Sequence, residues 1–198
     1  MKKESLSGTG LRLILLAIFV LASATDIFSA WKAPGNVTRV LKTKANAIVL
    51  ETTSRAKISI EFFDLDIIRI RMAANGMFER DFSYAIDYSH DRMTPVTKLT
   101  QTPREITLSN FAGAKVVVAP SPLSIRIFDE HGAEVIRDDA SQPVLFDPET
   151  GEIQARKLRN SEVETYYGLG EKAFSEMSRN GKFIVNWNTD TFSYPVGT

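Results

Sequence analysis

Polar and apolar positions alternate along most of this chain. Ile58, Ile60 and Phe62 interleave with Lys57, Ser59 and Glu61, and Ile68, Ile70 and Met72 with Arg69 and Arg71. Leu123, Ile125 and Ile127 interleave with Ser124 and Arg126. A period of two turns one set of side chains to a core and the other to solvent, so each run predicts a strand. Lys115 to Ala119 breaks the alternation with Val116, Val117 and Val118 in succession. Such a β-branched run predicts a strand buried on both faces. Turn chemistry fits between the runs. Asp129-Glu130-His131-Gly132 lies between Leu123–Phe128 and Glu134–Arg137, a hairpin with glycine where positive φ is cheap. Asp64 separates two strands tightly, and Pro95, Pro103, Pro120, Pro122, Pro143 and Pro148 fall between apolar runs, as strand-flanking prolines do. After residue 31 no helical stripe of i, i+3, i+4, i+7 positions is convincing. Asp81–Tyr88 reads as strand or loop, and Ala173–Ser178 has room for one helical turn. Short strands at regular spacing predict an all-β fold, an antiparallel β-sandwich.

The first residues follow another pattern. Lys2, Lys3 and Arg12 make a basic start, Leu11–Ala22 is almost unbroken Leu, Ile, Val, Phe and Ala, and Ala22-Ser23-Ala24 has small residues where a signal peptidase cuts. The apolar run is short for a membrane span, which needs about 20 residues. The expectation is a signal helix over residues 1–24, cleaved after Ala24, with Ala30 as the alternative site. An uncleaved N-terminal anchor is the other reading. Either places the rest in the periplasm or outside the cell. Ala33-Pro34-Gly35-Asn36 is a cluster of breakers, so residues 25–36 read as a linker and 37–185 as the sandwich.

Composition narrows the function. The 198 residues carry 24 basic and 24 acidic side chains and no cysteine. A neutral balance argues against nucleic acid as a partner, since phosphate binding needs a basic face. The missing cysteines exclude thiol catalysis, cysteine zinc sites and lipoprotein acylation. The two histidines are His90, in a polar loop, and His131, in the predicted hairpin turn. Neither has a spacing that makes a metal site or a nucleophile–base pair, and no metal or cofactor is expected. Asp138-Asp139 reads as a solvated turn. Glu162 and Glu164 flank Val163 on a predicted strand and read as solvent-facing. None of these identifies the carboxylate pair of a glycosidase, whose members stand about 5–5.5 Å or 6.5–9.5 Å apart. No catalytic residue is assigned.

Two stretches carry more. Gly168-Leu169-Gly170-Glu171-Lys172 follows Tyr166-Tyr167. Glycines either side of one leucine fit backbone packed closely against another surface, or a tight bend in the sandwich. Trp187-Asn188-Thr189-Asp190 ends a predicted strand, Phe183 to Trp187. An aromatic face beside carboxylate, hydroxyl and amide suits a sugar. A core tryptophan followed by a polar turn is the plainer alternative.

These stretches together resemble the segment leading into the catalytic barrel of glycoside hydrolase family 31, the α-glucosidases and α-xylosidases. Tyr167–Lys172 as Y-G-L-G-E-K, Arg179-Asn180-Gly181-Lys182, then W-N-T-D at 187–190 and Phe192–Thr198 as F-S-Y-P-V-G-T come in that family's order. Pro122–Ile127 with its Asp129–Gly132 turn is similar to the family's sandwich. The resemblance implies a galactose-mutarotase-like β-sandwich that lends a loop to the substrate pocket of a (β/α)₈ barrel. It implies that Asp190, with Thr189 and Trp187, touches an α-linked oligosaccharide or glycoside, and that Gly168, Leu169, Gly170 and Glu171 face the barrel. Residues 186–198 would be the junction. Nucleophile and acid would be barrel aspartates, and a barrel needs about 200 or more further residues. A chain without one should be inactive alone. The competing expectation is a free-standing secreted sandwich that binds carbohydrate without catalysis.

Overall fold

The computed structural model describes residues 31–82, 95–159, 164–169 and 175–184. The chain divides into two compact units, residues 1–157 and 158–198. The described residues hold antiparallel strands and no helix, as the alternation predicts.

In the first unit β1 (Val37–Lys44), β2 (Ala47–Thr52), β3 (Lys57–Phe62) and β4 (Ile68–Ala73) form one sheet in sequence order. A second sheet contains β5 (Thr97–Gln101), β6 (Ile106–Asn110), β7 (Lys115–Pro120), β8 (Leu123–Phe128) and β9 (Glu134–Asp138). The two-residue β12 (Lys157–Leu158) pairs with β9 at its edge. A small hairpin, β10 (Val144–Phe146) and β11 (Ile153–Ala155), stands apart from both.

Register explains the core. Ile48 pairs with Ile60 and Leu50 with Ile58 across β2–β3, while Leu108 pairs with Val116 and Val118 with Ile125 across β6–β8. Directly opposite residues of an antiparallel pair share a face. These sets therefore form the two inner faces, and with Phe62, Ile106, Leu123 and Ile127 they make one buried cluster. Each fully buried side chain of this size contributes about 1.5–3 kcal/mol. Val116, Val117 and Val118 are all buried. β7 is central, and Val117 on its outer face is flanked by its register partners Thr107 and Arg126.

Side chains tie the sheets at their corners. Lys42 Nζ donates to the Thr97 carbonyl at 2.7 Å, and Thr97 Oγ1 to the Ala45 carbonyl at 2.9 Å. Asn110 Nδ2 reaches the Leu65 carbonyl at 2.6 Å while its Oδ1 accepts from Gly113 N at 3.0 Å. The predicted turn after β8 closes through Asp129 N to the Ala133 carbonyl at 3.0 Å, with Gly132 at φ +83°.

Several expectations need correction. Asp138 is not solvated: it is 4% exposed, and its carboxylate accepts from Ile125 N at 2.8 Å and from the Lys157 ammonium. It ends a strand facing inward, and the adjacent strand's N–H and a long cation supply its partners. Glu164 lies outside any strand, as do Phe183 and Ile184. The Glu164 carbonyl accepts from the Arg159 and Asn180 side chains instead of a ladder. Of Ala173–Ser178, Ser175–Met177 form a bend and Ser178 is irregular, while Ala173 and Phe174 lie outside the described residues. Pro120 occupies the last position of β7. Asp81 and Phe82 are loop; the rest of Asp81–Tyr88, His90, Glu162 and residues 1–30 lie outside the described residues.

Candidate functional site

The described part of the second unit shows how two motifs separated in sequence meet. Arg179 N donates to the Tyr166 carbonyl at 2.7 Å, and Tyr166 N to Asn180 Oδ1 at 2.9 Å. Asn180 Nδ2 donates to the Glu164 carbonyl at 2.8 Å. The Arg179 guanidinium bridges two loops, with Nε on the Gly168 carbonyl at 3.0 Å and Nη1 on the Glu176 carbonyl at 2.7 Å. The carbonyl of Glu164 also accepts from Arg159 Nη2 at 2.6 Å. Charged donors on carbonyls are the stronger class of hydrogen bond. Arg179 and Asn180 thus fix the course of Glu164–Gly168.

That course includes strained backbone. Gly168 has φ +80° and Leu169 φ +65°. A leucine in the left-handed region costs about 1–2 kcal/mol, so the hydrogen bonds around it must over-determine the turn. The result displays Tyr166, Tyr167 and Leu169 with 44%, 63% and 49% of their surface exposed. Partial desolvation, then a hydrogen bond from its hydroxyl to the Glu164 carboxylate, raises the Tyr166 pKa above the ordinary phenol value. Met177 and Phe183 are even more exposed.

The structure brings Gly168 and Leu169 together with Arg179 and Asn180, to which the sequence assigned no contact role. The available signal was turn chemistry: Asn180-Gly181 after a long cation, spaced to reach back over the glycine motif. Gly170, Glu171, Trp187, Thr189 and Asp190 lie outside the described residues. His131 is an exposed turn residue, with Nδ1 3.5 Å from the Glu130 carboxylate. Asp81 receives Arg69 Nη1 at 2.8 Å, and this hydrogen bond holds its carboxyl below the usual range. Among the described residues no three His, Asp or Glu side chains converge to hold a metal ion.

The first unit is an antiparallel β-sandwich, a class of fold that many unrelated functions share. Residues 57–198 match the glycosyl hydrolase 31 N-terminal galactose mutarotase-like domain, and the chain belongs to that family. No curated protein sequence matches it. Among solved structures, the GH31 dextranase of Flavobacterium johnsoniae complexed with isomaltotriose is 26% identical over 84% of this chain and 20% of the dextranase, with a TM-score of 0.68. The same enzyme complexed with glucose gives a TM-score of 0.69. The cycloalternan-forming enzyme of Listeria monocytogenes, in complex with a pentasaccharide substrate, is 18% identical over 81% of this chain and 15% of that enzyme, with a TM-score of 0.62. That last likeness is one of fold. The chain spans about a fifth of the length of the dextranase it matches.

Proposed function

We propose that this chain completes the substrate pocket of an exported glycoside hydrolase of α-glucosidase type, acting on α-linked glucosides. The carboxylates that cleave the bond belong to a (β/α)₈ barrel of the same parent protein, on which Tyr167, Gly168, Leu169, Gly170 and Glu171 dock. The observation that carries this reading is the family match running unbroken through Y-G-L-G-E-K and W-N-T-D to residue 198. The likeness to a dextranase solved with isomaltotriose supports an α-glucan as substrate class.

Within this reading Asp190 is a positioning residue for substrate. A carboxylate accepts several hydrogen bonds from neighbouring sugar hydroxyls, and a loop leaving a sandwich can carry it into another domain's pocket. Trp187 offers a ring face and Thr189 a hydroxyl beside it. Losing one charged hydrogen bond removes about 1.5–3 kcal/mol, a ten- to hundredfold effect. In the parent enzyme Asp190→Ala should therefore lower kcat/KM by that factor and keep its Tm. A variant that loses Tm and keeps its kinetics would make Asp190 a turn cap. The 198-residue chain alone should release no nitrophenol from a nitrophenyl α-glucoside. Export is tested by N-terminal sequencing of the secreted protein, which should begin at Thr25.

A further inference from the structure

We infer that the groove between the turn after β4 and the β10–β11 hairpin of the first unit binds a neutral oligosaccharide. It encloses about 770 Å³, within the range of about 300–1,000 Å³ typical of small-molecule sites. Polar and apolar groups share its lining, the apolar ones including Met72, Ile153 and the buried Phe146. Its lips are polar turns that carry Met77, 71% exposed, and the half-buried Phe78.

Charge narrows the ligand. Lys32, Arg71, Glu79 and Glu149 all line the groove, so their formal charges cancel. An anionic ligand would meet two carboxylates, and a cationic one two cations. A wholly apolar ligand would strand the polar lips without partners. A pyranose has the matching make-up, an apolar C–H face and a girdle of uncharged hydroxyls.

Both lips are shaped before any ligand arrives. Arg71 Nη2 donates to the Glu79 carbonyl at 2.9 Å, and Nη1 stands 3.7 Å from Asp81. Its guanidinium carbon lies 5.3 Å from the centroid of the Phe78 ring. A guanidinium has five N–H donors, so a fixed Arg71 keeps donors for sugar hydroxyls. On the other lip Asp147 Oδ1 gathers Glu149 N at 2.8 Å and Thr150 N at 3.3 Å. Pre-set turns reduce the ordering cost of binding. The choice of an α-glucan as occupant rests on the function proposed above; the neutral, amphipathic character of the groove does not.

The test is a titration of the isotope-labelled 198-residue chain with isomaltotriose, to roughly 10 mM, with amide shifts read by NMR. Saturable shifts should appear in Asn75–Glu79 and Glu149–Gly151. Phe78→Ala and Arg71→Ala should each weaken binding about tenfold or more. Met77→Ser, at an exposed position that cannot disturb the core, should weaken it severalfold and keeps the test decisive if the other variants unfold. Cellotriose is the second probe. Binding of cellotriose alone would retain the groove and sink the α-glucan reading. Binding of neither sugar would overturn the groove, as would shifts that survive all three variants or are abolished only by Asp190→Ala.

Discussion

Asp138 shows how far a single residue can depart from what its neighbours in sequence imply. Asp138-Asp139 after a strand looks like a solvated turn, because alternation does not say where the last inward position falls. The register does: Arg137 pairs with Arg126 on the outer face, so Asp138 turns inward. There its carboxylate satisfies Ile125 N and Lys157. Asp138→Asn should lower stability by about 1.5–3 kcal/mol, read as a shift of the urea midpoint at unchanged m-value. Asp81 gives a pH signature of the opposite, exposed kind. The hydrogen bond from Arg69 depresses its pKa in the folded chain. Its contribution is therefore complete above the unfolded aspartate value of about 3.9 and is lost as pH falls through the lower folded value. Asp81→Asn should flatten that acid limb in a Tm–pH series by lowering the neutral-pH Tm slightly and converging with the native chain at acid pH. An acid limb of full size in the variant would show that other carboxylates carry it. By contrast, the latch formed by Arg179 and Asn180 was only half legible in sequence: Asn180-Gly181 signals the turn, but hydrogen bonds to backbone carbonyls leave no pattern that names the loop they hold.

At the scale of elements, alternation located the strands but not their neighbours. Ile60 and Ile70 look equivalent in sequence. They are register partners on the same face, yet Ile60 is fully buried in β3 and Ile70 is 36% exposed on the edge strand β4. Only sheet order separates them, and order is a property of long-range pairing. Ile60→Ala should cost about 2–5 kcal/mol, as a cavity in a closed core does. Ile70→Ala should cost less than half of that. Equal costs would show that β4 is covered as fully as β3. Of the strand expected over Phe183–Trp187, the described residues include only Phe183 and Ile184, and neither lies in a ladder. An aromatic and β-branched composition favours a strand only where a partner edge exists to accept it. The turn at Arg179–Lys182, closed by Lys182 N on the Arg179 carbonyl at 3.1 Å, takes the backbone elsewhere.

For the whole molecule, fold class was legible because every level agreed: alternation, turn chemistry and the absence of helical stripes. The family was legible because its signature lies in short local motifs. The carbohydrate groove was not, since its lips come from residues 75–79 and 147–151, which no sequence window joins. The second unit poses a different question. Tyr167, Met177 and Phe183 are 63%, 81% and 80% exposed, and the turn beside Tyr167 is held by the Arg179 guanidinium rather than by burial. Under the proposed function these apolar side chains form the docking surface, since exposed apolar patches beyond a few hundred Å² are uncommon on finished monomers. The chain alone should therefore enhance the fluorescence of an anilinonaphthalene dye while giving the far-ultraviolet circular dichroism of a β protein. Replacing Tyr167 and Phe183 together by Ser should at least halve the dye signal and leave the dichroism unchanged, since neither side chain contributes to the buried cluster of the first unit. A dye-silent chain would mean these side chains already have a cover. A strongly helical spectrum would overturn the sandwich itself. A dye signal that persists in the double variant would move the apolar surface away from this turn, and with it the docking role assigned to Tyr167, Gly168 and Leu169.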